Sequence, residues 1–233
     1  MIRLDKYISR FLGLSRKNAK KRIRSGRVRI NGEIVIDPSI KLTMNEKVTF
    51  DGETVVPYKN VYVLLNKPVG YVCSRNEKEG PTVFSLVDKI YEKELSVAGR
   101  LDKDARGMLI LTNDGYLIHQ IINPKYKIQK EYLVTVKTEL EPHQIVQLLT
   151  PIKINNELYS AEEIEWKDLF TFRIVLTEGK FHEIKKMVHF LGSETEDIFR
   201  VRIGNLLMPE SLKKGEYKEL TPDETKKITP YSG

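Results

Sequence analysis

Few of the residues that characterise secreted, zinc-binding or membrane proteins occur in this chain of 233 residues. Its one cysteine, Cys73, excludes an internal disulfide and a cysteine zinc cluster. Its four histidines are scattered, without the spacing of a helical metal site. No apolar run approaches the roughly 18 residues that span a bilayer, and the opening MIRLDKYISRFLGLSRK lacks the continuous apolar core of a signal peptide. We therefore expect a cytoplasmic protein with no membrane segment and no bound metal.

The excess positive charge is confined to the first quarter of the chain. The sequence has 39 Lys and Arg against 32 Asp and Glu, a formal net charge of +7. Residues 1–60 hold 14 of the basic and 6 of the acidic residues, which leaves 25 and 26 in residues 61–233. Clustered cations attract polyanions by releasing condensed counterions. The asymmetry indicates a basic binding module joined to a near-neutral body, and a solvated basic surface without a partner is the alternative.

The basic module is predicted to consist of two short helices and a hairpin. Apolar residues at helical spacing mark the helices, with Leu4, Ile8, Phe11 and Leu12 in the first and Ala19 and Ile23 in the second. Gly13 ends the first helix, Ser15 is a candidate N-cap of the second, and Gly26 suits the left-handed position after it. Asn31-Gly32 lies between two short apolar segments, a strong indication of a β-hairpin.

The surface of the second helix is predicted to be basic. The side chains around its apolar face are those of Arg16, Lys17, Lys20, Lys21 and Arg24. The opening RLDKYIS and the order of elements resemble an S4 RNA-binding domain. That resemblance implies a domain over residues 1–58 that binds structured RNA through the helix pair and the hairpin. Residues 51–60 would form its exit strand and a linker to a second domain at 61–233.

The remainder of the chain is predicted to be α+β. Segments rich in β-branched and aromatic residues, at 61–66, 108–112, 130–137 and 172–177, indicate strands. Apolar residues at helical spacing indicate helices at 115–123 and 181–192. The order is irregular rather than a strict alternation of strand and helix. We therefore expect a mixed, largely antiparallel sheet flanked by helices, followed by a short helix and a frayed tail after residue 221.

Three polar stretches could carry chemistry: LNKPVGYVCS at 65–74, AGRLDKDARGMLILTNDG at 98–115, and LTEGKFHEIKKM at 176–187. Residue types alone leave several interpretations of the second stretch. Asp102 and Asp104 could form a paired carboxylate or part of a Mg²⁺ site, with Glu178 or Glu183 as further ligands. A single Asp held by a Lys or Arg could instead be a nucleophile or base. A structural role, with Asp102 in a turn and Lys185 in solvent, is equally open.

The same stretches resemble the motifs of pseudouridine synthases. GRLDKDARGMLILTNDG is similar to the family signature G-R-L-D-x-D-T-x-G-L-L-L-L-T-N-D-G, and NKPVGYVCS, KEYLV at 130–134 and EGKFHEIKKM are similar to its other motifs. The match runs along nearly the whole chain in the same order. It is closest to the S4-bearing RsuA type, whose members convert a uridine of small-subunit 16S ribosomal RNA to pseudouridine.

The resemblance also implies roles for individual residues. Asp102 falls on the essential aspartate, and Lys185 on the basic residue that pairs with it. Tyr132 falls on the tyrosine that packs against the target base, and Ile184 on an apolar position of the pocket. Arg100 falls on an arginine that helps to hold the RNA with its uridine turned outwards.

Two departures from the motifs and two neighbouring residues complete the candidate site. Ala105-Arg106 replaces the usual Thr-x, and Glu183 replaces a common Gln. Lys67 is expected to be structural rather than catalytic. His182 is expected to hold RNA or its own helix rather than to move protons.

Isomerising a uridine needs no redox step and no group donor, and the sequence contains no phosphate-binding glycine loop or dinucleotide motif. We therefore expect an rRNA pseudouridine synthase without a cofactor. Its partner would be 16S rRNA in a small-subunit assembly intermediate, and the chain would be a monomer. The alternatives are the same reaction on 23S rRNA, a non-catalytic S4 RNA-binding or ribosome-assembly protein, and a Mg²⁺-dependent RNA-cleaving enzyme.

Overall fold

The computed structural model describes residues 2–43, 45–55, 60–88, 91 and 95–229. Contacts divide the chain into two units, Met1–Lys59 and Asn60–Gly233. Most of the expected linker, residues 56–59, and the end of the expected tail, residues 230–233, lie outside the described residues. No helix in the described ranges is long and apolar enough to cross a membrane.

The amino-terminal unit is a pair of helices on small antiparallel sheets. Its elements are β1 (Ile2–Arg3), α1 (Leu4–Phe11), α2 (Arg16–Arg24), β2 (Val28–Ile30), β3 (Glu33–Val35), β4 (Lys41–Leu42), β5 (Val48–Phe50) and β6 (Glu53–Thr54). Strand β1 pairs with β4, and the other four strands lie in the order β3-β2-β5-β6. Both predicted helices and the predicted hairpin are confirmed.

Local sequence explains where these elements begin and end. The Ser15 hydroxyl accepts a hydrogen bond from the amide of Asn18 at 3.2 Å and so caps α2, as predicted. Asn31 and Gly32 both have positive φ, 50° and 93°, which the tight turn of a two-residue hairpin requires. Ala19 and Ile23 are fully buried against α1, so the rest of the α2 surface is left to its basic side chains.

The second unit is built on one large sheet. Its strands are β7 (Tyr62–Lys67), β8 (Ser96–Ala98), β9 (Arg106–Thr112), β10 (Lys130–Val136), β11 (Ile152–Ile154), β12 (Glu157–Tyr159), β13 (Glu163–Asp168), β14 (Thr171–Leu176), β15 (Thr195–Ile203), β16 (Leu206–Leu207) and β17 (Tyr217–Glu219). Its α-helices in the described ranges are α3 (Gly115–Ile122), α4 (Pro142–Ile145), α5 (Glu183–Phe190) and α6 (Pro222–Ile228). Single 3₁₀ turns occur at Glu77–Glu79, Val83–Leu86, Pro124–Tyr126 and Val146–Leu149.

Nine strands form the sheet, whose main path runs β13-β14-β10-β15-β9-β7-β17, with β16 beside β15 and β8 beside β9. Only β15 and β9 are parallel among its pairs in the described residues. The expectation of an α+β fold with a mixed, largely antiparallel sheet is therefore confirmed.

Each face of the sheet is covered by an apolar core. Successive residues of a strand point to opposite sides, so an apolar strand contributes side chains to both cores. In β9, Leu109 and Leu111 join the core under helix α5, whereas Met108 and Ile110 join the core under α3 and α6. The candidate site lies on the α5 side, where the loop before β9 meets the start of that helix.

The parallel contact between β9 and β15 requires a glycine. Gly107 pairs with Arg200 and has a φ of +106°. A Cβ at this position would lie 2.4 Å from the carbonyl oxygen of Arg200, which is a steric clash. The glycine of the motif DARGMLILT therefore permits the close approach that brings Arg200 under the polar loop.

Candidate active site

The loop that carries Asp102 connects β8 to β9 and spans residues 99–105. Its backbone is a tight turn, in which the amide of Ala105 donates to the carbonyl of Asp102 at 3.2 Å. The Asp102 carboxylate is one-third exposed, and it faces a cavity of about 300 Å³. The loop therefore presents a partly solvated carboxylate to a space that can hold a small ring.

All five catalytic-domain residues predicted from the sequence line this cavity: Arg100, Asp102, Tyr132, Ile184 and Lys185. They come from three separate parts of the fold, the loop before β9, strand β10 and helix α5. Their roles remain predictions, but their assembly around one cavity is a property of the fold.

Lys185 contacts both aspartates of the loop. Its Nζ lies 3.7 Å from Oδ2 of Asp102, so the expected ion pair is within reach. Its shorter contacts are with Asp104, at 2.7 Å to Oδ1 and 2.6 Å to Oδ2. Partial burial alone would raise the pKa of Asp104, but the hydrogen bonds and charge of Lys185 hold it below the usual value. The sequence therefore predicted Lys185 as the cation of the site, but it did not predict that Lys185 hydrogen-bonds to Asp104.

The wall of the cavity is apolar and aromatic. Tyr132 and Ile184 are each 7% exposed and belong to the same core cluster. Tyr132 lies on β10, where every second side chain of KEYLVTV is buried. Because side chains alternate along a strand, Tyr132 is on the buried face. The Arg200 guanidinium lies 6.0 Å from the centre of the Tyr132 ring. These groups form a surface on which a flat, partly polar base can pack.

Lys67 holds the loop from beneath. Its side chain is fully buried, and its Nζ lies 2.6 Å from the carbonyl oxygen of Ala105, 2.9 Å from that of Asp102 and 3.1 Å from that of Pro68. An ammonium group has three N–H donors, so these contacts use all of them. Burial lowers the pKa of Lys67 to about 8. The structural role expected for this lysine agrees with its position.

Arg200 holds the other half of the loop and was not identified from the sequence. It is 1% exposed, and its guanidinium donates to the carbonyls of Met108 at 2.7 Å and Gly99 at 2.9 Å. Strand alternation could have located it, because Arg200 shares a face of β15 with buried Ile198. A buried arginine usually has such hydrogen-bond partners, because burying an unpaired charge is costly.

The side chains proposed for the alternative Mg²⁺ site do not converge. In the parts of the chain that the structure describes, no three His, Cys, Asp or Glu side chains are placed to share an ion. Asp104 is bound to Lys185, and Glu178 forms an ion pair with Lys180 at 2.6 Å. The Glu183 carboxylate accepts the amide of Lys180 at 3.1 Å. The geometry therefore favours a carboxylate paired with a cation over a metal site.

Both departures from the family motifs have structural partners. Ala105 is 2% exposed and packs in the core cluster, and Arg106 forms an ion pair with Asp197 at 2.7 Å. Glu183 is buried at the start of α5, where burial raises the pKa of its carboxyl group. None of these side chains takes the place of Asp102 in the cavity.

His182 lies beside the catalytic candidate. Its Nε2 is 3.7 Å from Oδ2 of Asp102, and its ring stacks on that of Phe181 with centres 3.8 Å apart. Its backbone is left-handed, with φ at +54°, immediately before helix α5. Phe181 was not identified from the sequence.

In the amino-terminal unit, the predicted basic residues share one helix. Arg16, Lys17, Lys21 and Arg24 are exposed on α2, whereas Lys20 is half-buried with its Nζ 3.7 Å from Oδ2 of Asp5. Positions 17, 20, 21 and 24 are neighbours on one side of a helix. The unit therefore presents a continuous basic stripe to a polyanion.

Comparison with known proteins defines the class. The model of the RNA pseudouridylate synthase family matches residues 61–190, and that of the S4 domain matches residues 2–48. The chain belongs to the RNA pseudouridylate synthase family. Both resemblances inferred from the motifs are confirmed.

Individual relatives match over almost their whole length. The chain is 35% identical to ribosomal small subunit pseudouridine synthase A of Haemophilus influenzae, over 97% of this chain and 99% of the relative. The protein of the same name from Escherichia coli (strain K12) is also 35% identical, over 96% and 98%. A crystal structure of a pseudouridylate synthase superposes with a TM-score of 0.72 at 34% identity, covering 98% of this chain and 100% of the other.

Proposed function

We propose that this enzyme converts one uridine of small-subunit 16S ribosomal RNA to pseudouridine, with Asp102 as its catalytic carboxylate. The observation that carries the proposal is the single cavity lined by Asp102, Tyr132 and Lys185. The names of its full-length relatives support the choice of the small subunit.

The reaction is an isomerisation, so all atoms of the uridine remain in the product. The C1′–N1 bond breaks, the uracil turns, C5 bonds to C1′, and the proton on C5 is replaced by one on N1. The ionised Asp102 either attacks C1′ and later leaves it, or removes a proton from C2′ and later returns it. Both routes need a charged carboxylate next to the sugar, and the Lys185 ammonium lies 3.7 Å from Oδ2 of Asp102.

The other cavity residues are assigned to binding. Tyr132 and Ile184 hold the detached uracil while it turns, because an aromatic and apolar wall resists the entry of water. Arg100 is exposed at the rim, where it can hold the RNA backbone. The target base must leave its stack to reach this cavity, at a cost of a few kcal/mol.

The substrate is proposed to be an assembly intermediate of the small subunit, bound by a monomeric enzyme in the cytoplasm. The S4 unit would contact phosphates through Arg16, Lys17, Lys20, Lys21 and Arg24. Such contacts contribute affinity and position without reading sequence, so the choice of uridine would rest on the RNA shape that both units recognise together.

Mapping pseudouridines in ribosomal RNA tests the proposal. A strain that lacks the gene should lose one pseudouridine from 16S rRNA, and the wild-type gene should restore it. A gene carrying Asp102→Asn should not restore it. The purified enzyme, given naked 16S rRNA and partly assembled subunits, then distinguishes the two substrate forms.

Other outcomes would contradict specific parts of the proposal. Loss of a 23S position alone would refute the choice of subunit while leaving the chemistry intact. No lost position in either RNA would favour the non-catalytic RNA-binding protein. Restoration by Asp102→Asn would refute the role of this carboxylate, and sedimentation of the purified enzyme as a dimer would refute the monomer.

A further inference from the structure

We infer that the ring of Phe181, stacked on His182, binds a second RNA base next to the target uridine. The inference rests on the proposed function, because it concerns the same RNA at the same site. It adds a stacking contact beside the cavity in which the uridine itself is proposed to bind.

The exposure of Phe181 is the first observation. Its side chain is 74% exposed, the largest value for a large hydrophobic residue in the described ranges. The ring stacks on the His182 ring, with centres 3.8 Å apart and planes inclined by 22°. One face of a flat aromatic pair is thus already covered, which leaves a surface suited to another flat ring.

The second observation is the position of this pair between two cavities. Phe181 and His182 line the uridine cavity of about 300 Å³ and also a neighbouring cavity of about 630 Å³. The two cavities share Asp102 and Lys185 as well. A nucleotide beside the flipped uridine would therefore lie in the second cavity, within reach of the aromatic pair.

The charged side chains around the second cavity balance, so what it offers an RNA backbone is individual exposed cations rather than a net positive charge. Arg100, Lys103 and Lys185 all line it, against the acidic Glu79, Asp102 and Asp104. Arg100 and Lys103 are exposed. The Lys103 ammonium donates one hydrogen bond to the carbonyl of Glu79 and keeps two N–H groups for a phosphate. Cations that follow the backbone, together with an aromatic face for a base, are the combination with which proteins bind single-stranded RNA.

The test measures stacking directly. A 16S rRNA fragment around the mapped uridine carries the fluorescent base 2-aminopurine on one side of that uridine, and a single-stranded uridine-rich RNA carries one internal 2-aminopurine. Stacking on a protein ring quenches this fluorophore. Phe181→Ala should abolish the quenching and weaken binding about 5- to 150-fold, the range that corresponds to one base–aromatic stack.

Three further variants separate stacking from other effects. Phe181→Trp should keep the quenching and the affinity, whereas Phe181→Leu, which is apolar but lacks a ring, should behave like Phe181→Ala. Phe190→Ala removes an exposed phenylalanine from the far end of helix α5, which Phe181 precedes, and should leave both measurements unchanged. Circular dichroism establishes that each variant is folded.

The outcomes distinguish this inference from the proposed function. Conversion of the uridine with equal quenching in wild type and Phe181→Ala would overturn the stacking surface alone. No conversion by the wild type, with quenching lost in Phe181→Ala on either RNA, would overturn the proposed function alone. No conversion and no difference in quenching would overturn both. Wild-type affinity of Phe181→Leu would overturn stacking in favour of a plain apolar contact.

Discussion

The ammonium group of Lys185 lies 2.6 and 2.7 Å from the two carboxylate oxygens of Asp104. The same nitrogen is 3.7 Å from Oδ2 of Asp102. One cation is thus shared by two carboxylates, of which the catalytic candidate has the longer contact.

The two aspartates should respond differently to the same substitution. Asp102→Asn should lower single-turnover pseudouridine formation at least about a hundredfold, because an amide neither attacks C1′ nor accepts a proton. Affinity for the RNA should survive. Asp104→Asn, the matched control, should stay within about tenfold of wild type, since it leaves Asp102 and Lys185 in place. Turnover by Asp102→Asn within tenfold of wild type would refute its assignment.

As the pH rises above about 8, deprotonation of Lys67 should lower the activity of the enzyme but increase its stability. Above its pKa of about 8 the folded protein holds a neutral amine, which has one N–H fewer for the loop carbonyls, so the single-turnover rate should fall. The unfolded chain keeps this lysine charged up to about pH 10.4. Because the unfolded state then binds more protons, the Lys67 contribution to the unfolding free energy should rise from about pH 8 to that value.

Rates and melting temperatures between pH 7 and 10 test this prediction. Lys130→Met is the matched control, because burial also lowers the pKa of Lys130 to about 8 while its Nζ contacts the carbonyls of Ile128 and Thr177 instead. This control should keep the alkaline fall in rate. A wild-type rate that stays level to pH 9.5 would contradict the prediction.

Glu183→Gln should stabilise the second unit at neutral pH. Burial raises the pKa of Glu183, so its charged form is penalised in the folded state above that pKa. Glutamine removes the charge and keeps an oxygen for the amide of Lys180. The gain in melting temperature should be largest above the raised pKa and should shrink as the pH falls towards the ordinary value for glutamate.

The melting temperatures of wild type and Glu183→Gln between pH 4 and 8 provide the measurement. A difference that grows on acidification has the wrong sign and would show that the glutamate is stabilised as an anion. Glu178→Gln is the control, because this carboxylate is paired with Lys180 near the surface. Its removal should not stabilise the protein.

The basic stripe of α2 should determine how binding depends on salt. Each lysine or arginine that neutralises a phosphate contributes about 0.7–0.9 to the slope of log affinity against log salt. Replacing Lys17, Lys20, Lys21 and Arg24 by Ala should therefore flatten the slope by roughly 3. Lys41→Ala with Lys47→Ala, two exposed lysines of the same unit outside α2, is the control. Equal slopes for wild type and the fourfold variant would show that the stripe does not touch RNA.

Much of the fold is determined by short-range patterns in the sequence. Ser15 caps a helix and Asn31-Gly32 closes a hairpin because these preferences depend on backbone atoms only a few residues away. Alternation in the strands and helical spacing in α5 likewise indicate which side chains face the core. The candidate site was located differently, by the resemblance of the motif around Asp102 to those of pseudouridine synthases.

Only the tertiary structure decided what those residues contact. Lys185 and Asp104 are 81 positions apart, and Arg200 lies 101 positions from the loop carbonyl of Gly99 that it binds. Neither the burial of Arg200 nor its partners were predicted from the sequence, because both depend on the parallel contact between β9 and β15. The exposure of Phe181 could not be predicted from the sequence either, because no local pattern determines whether an aromatic residue before a helix is buried. Hydrogen-bond partners and exposure depend on distances in space, which the sheet and the packing of α5 on it fix only when the whole unit has folded.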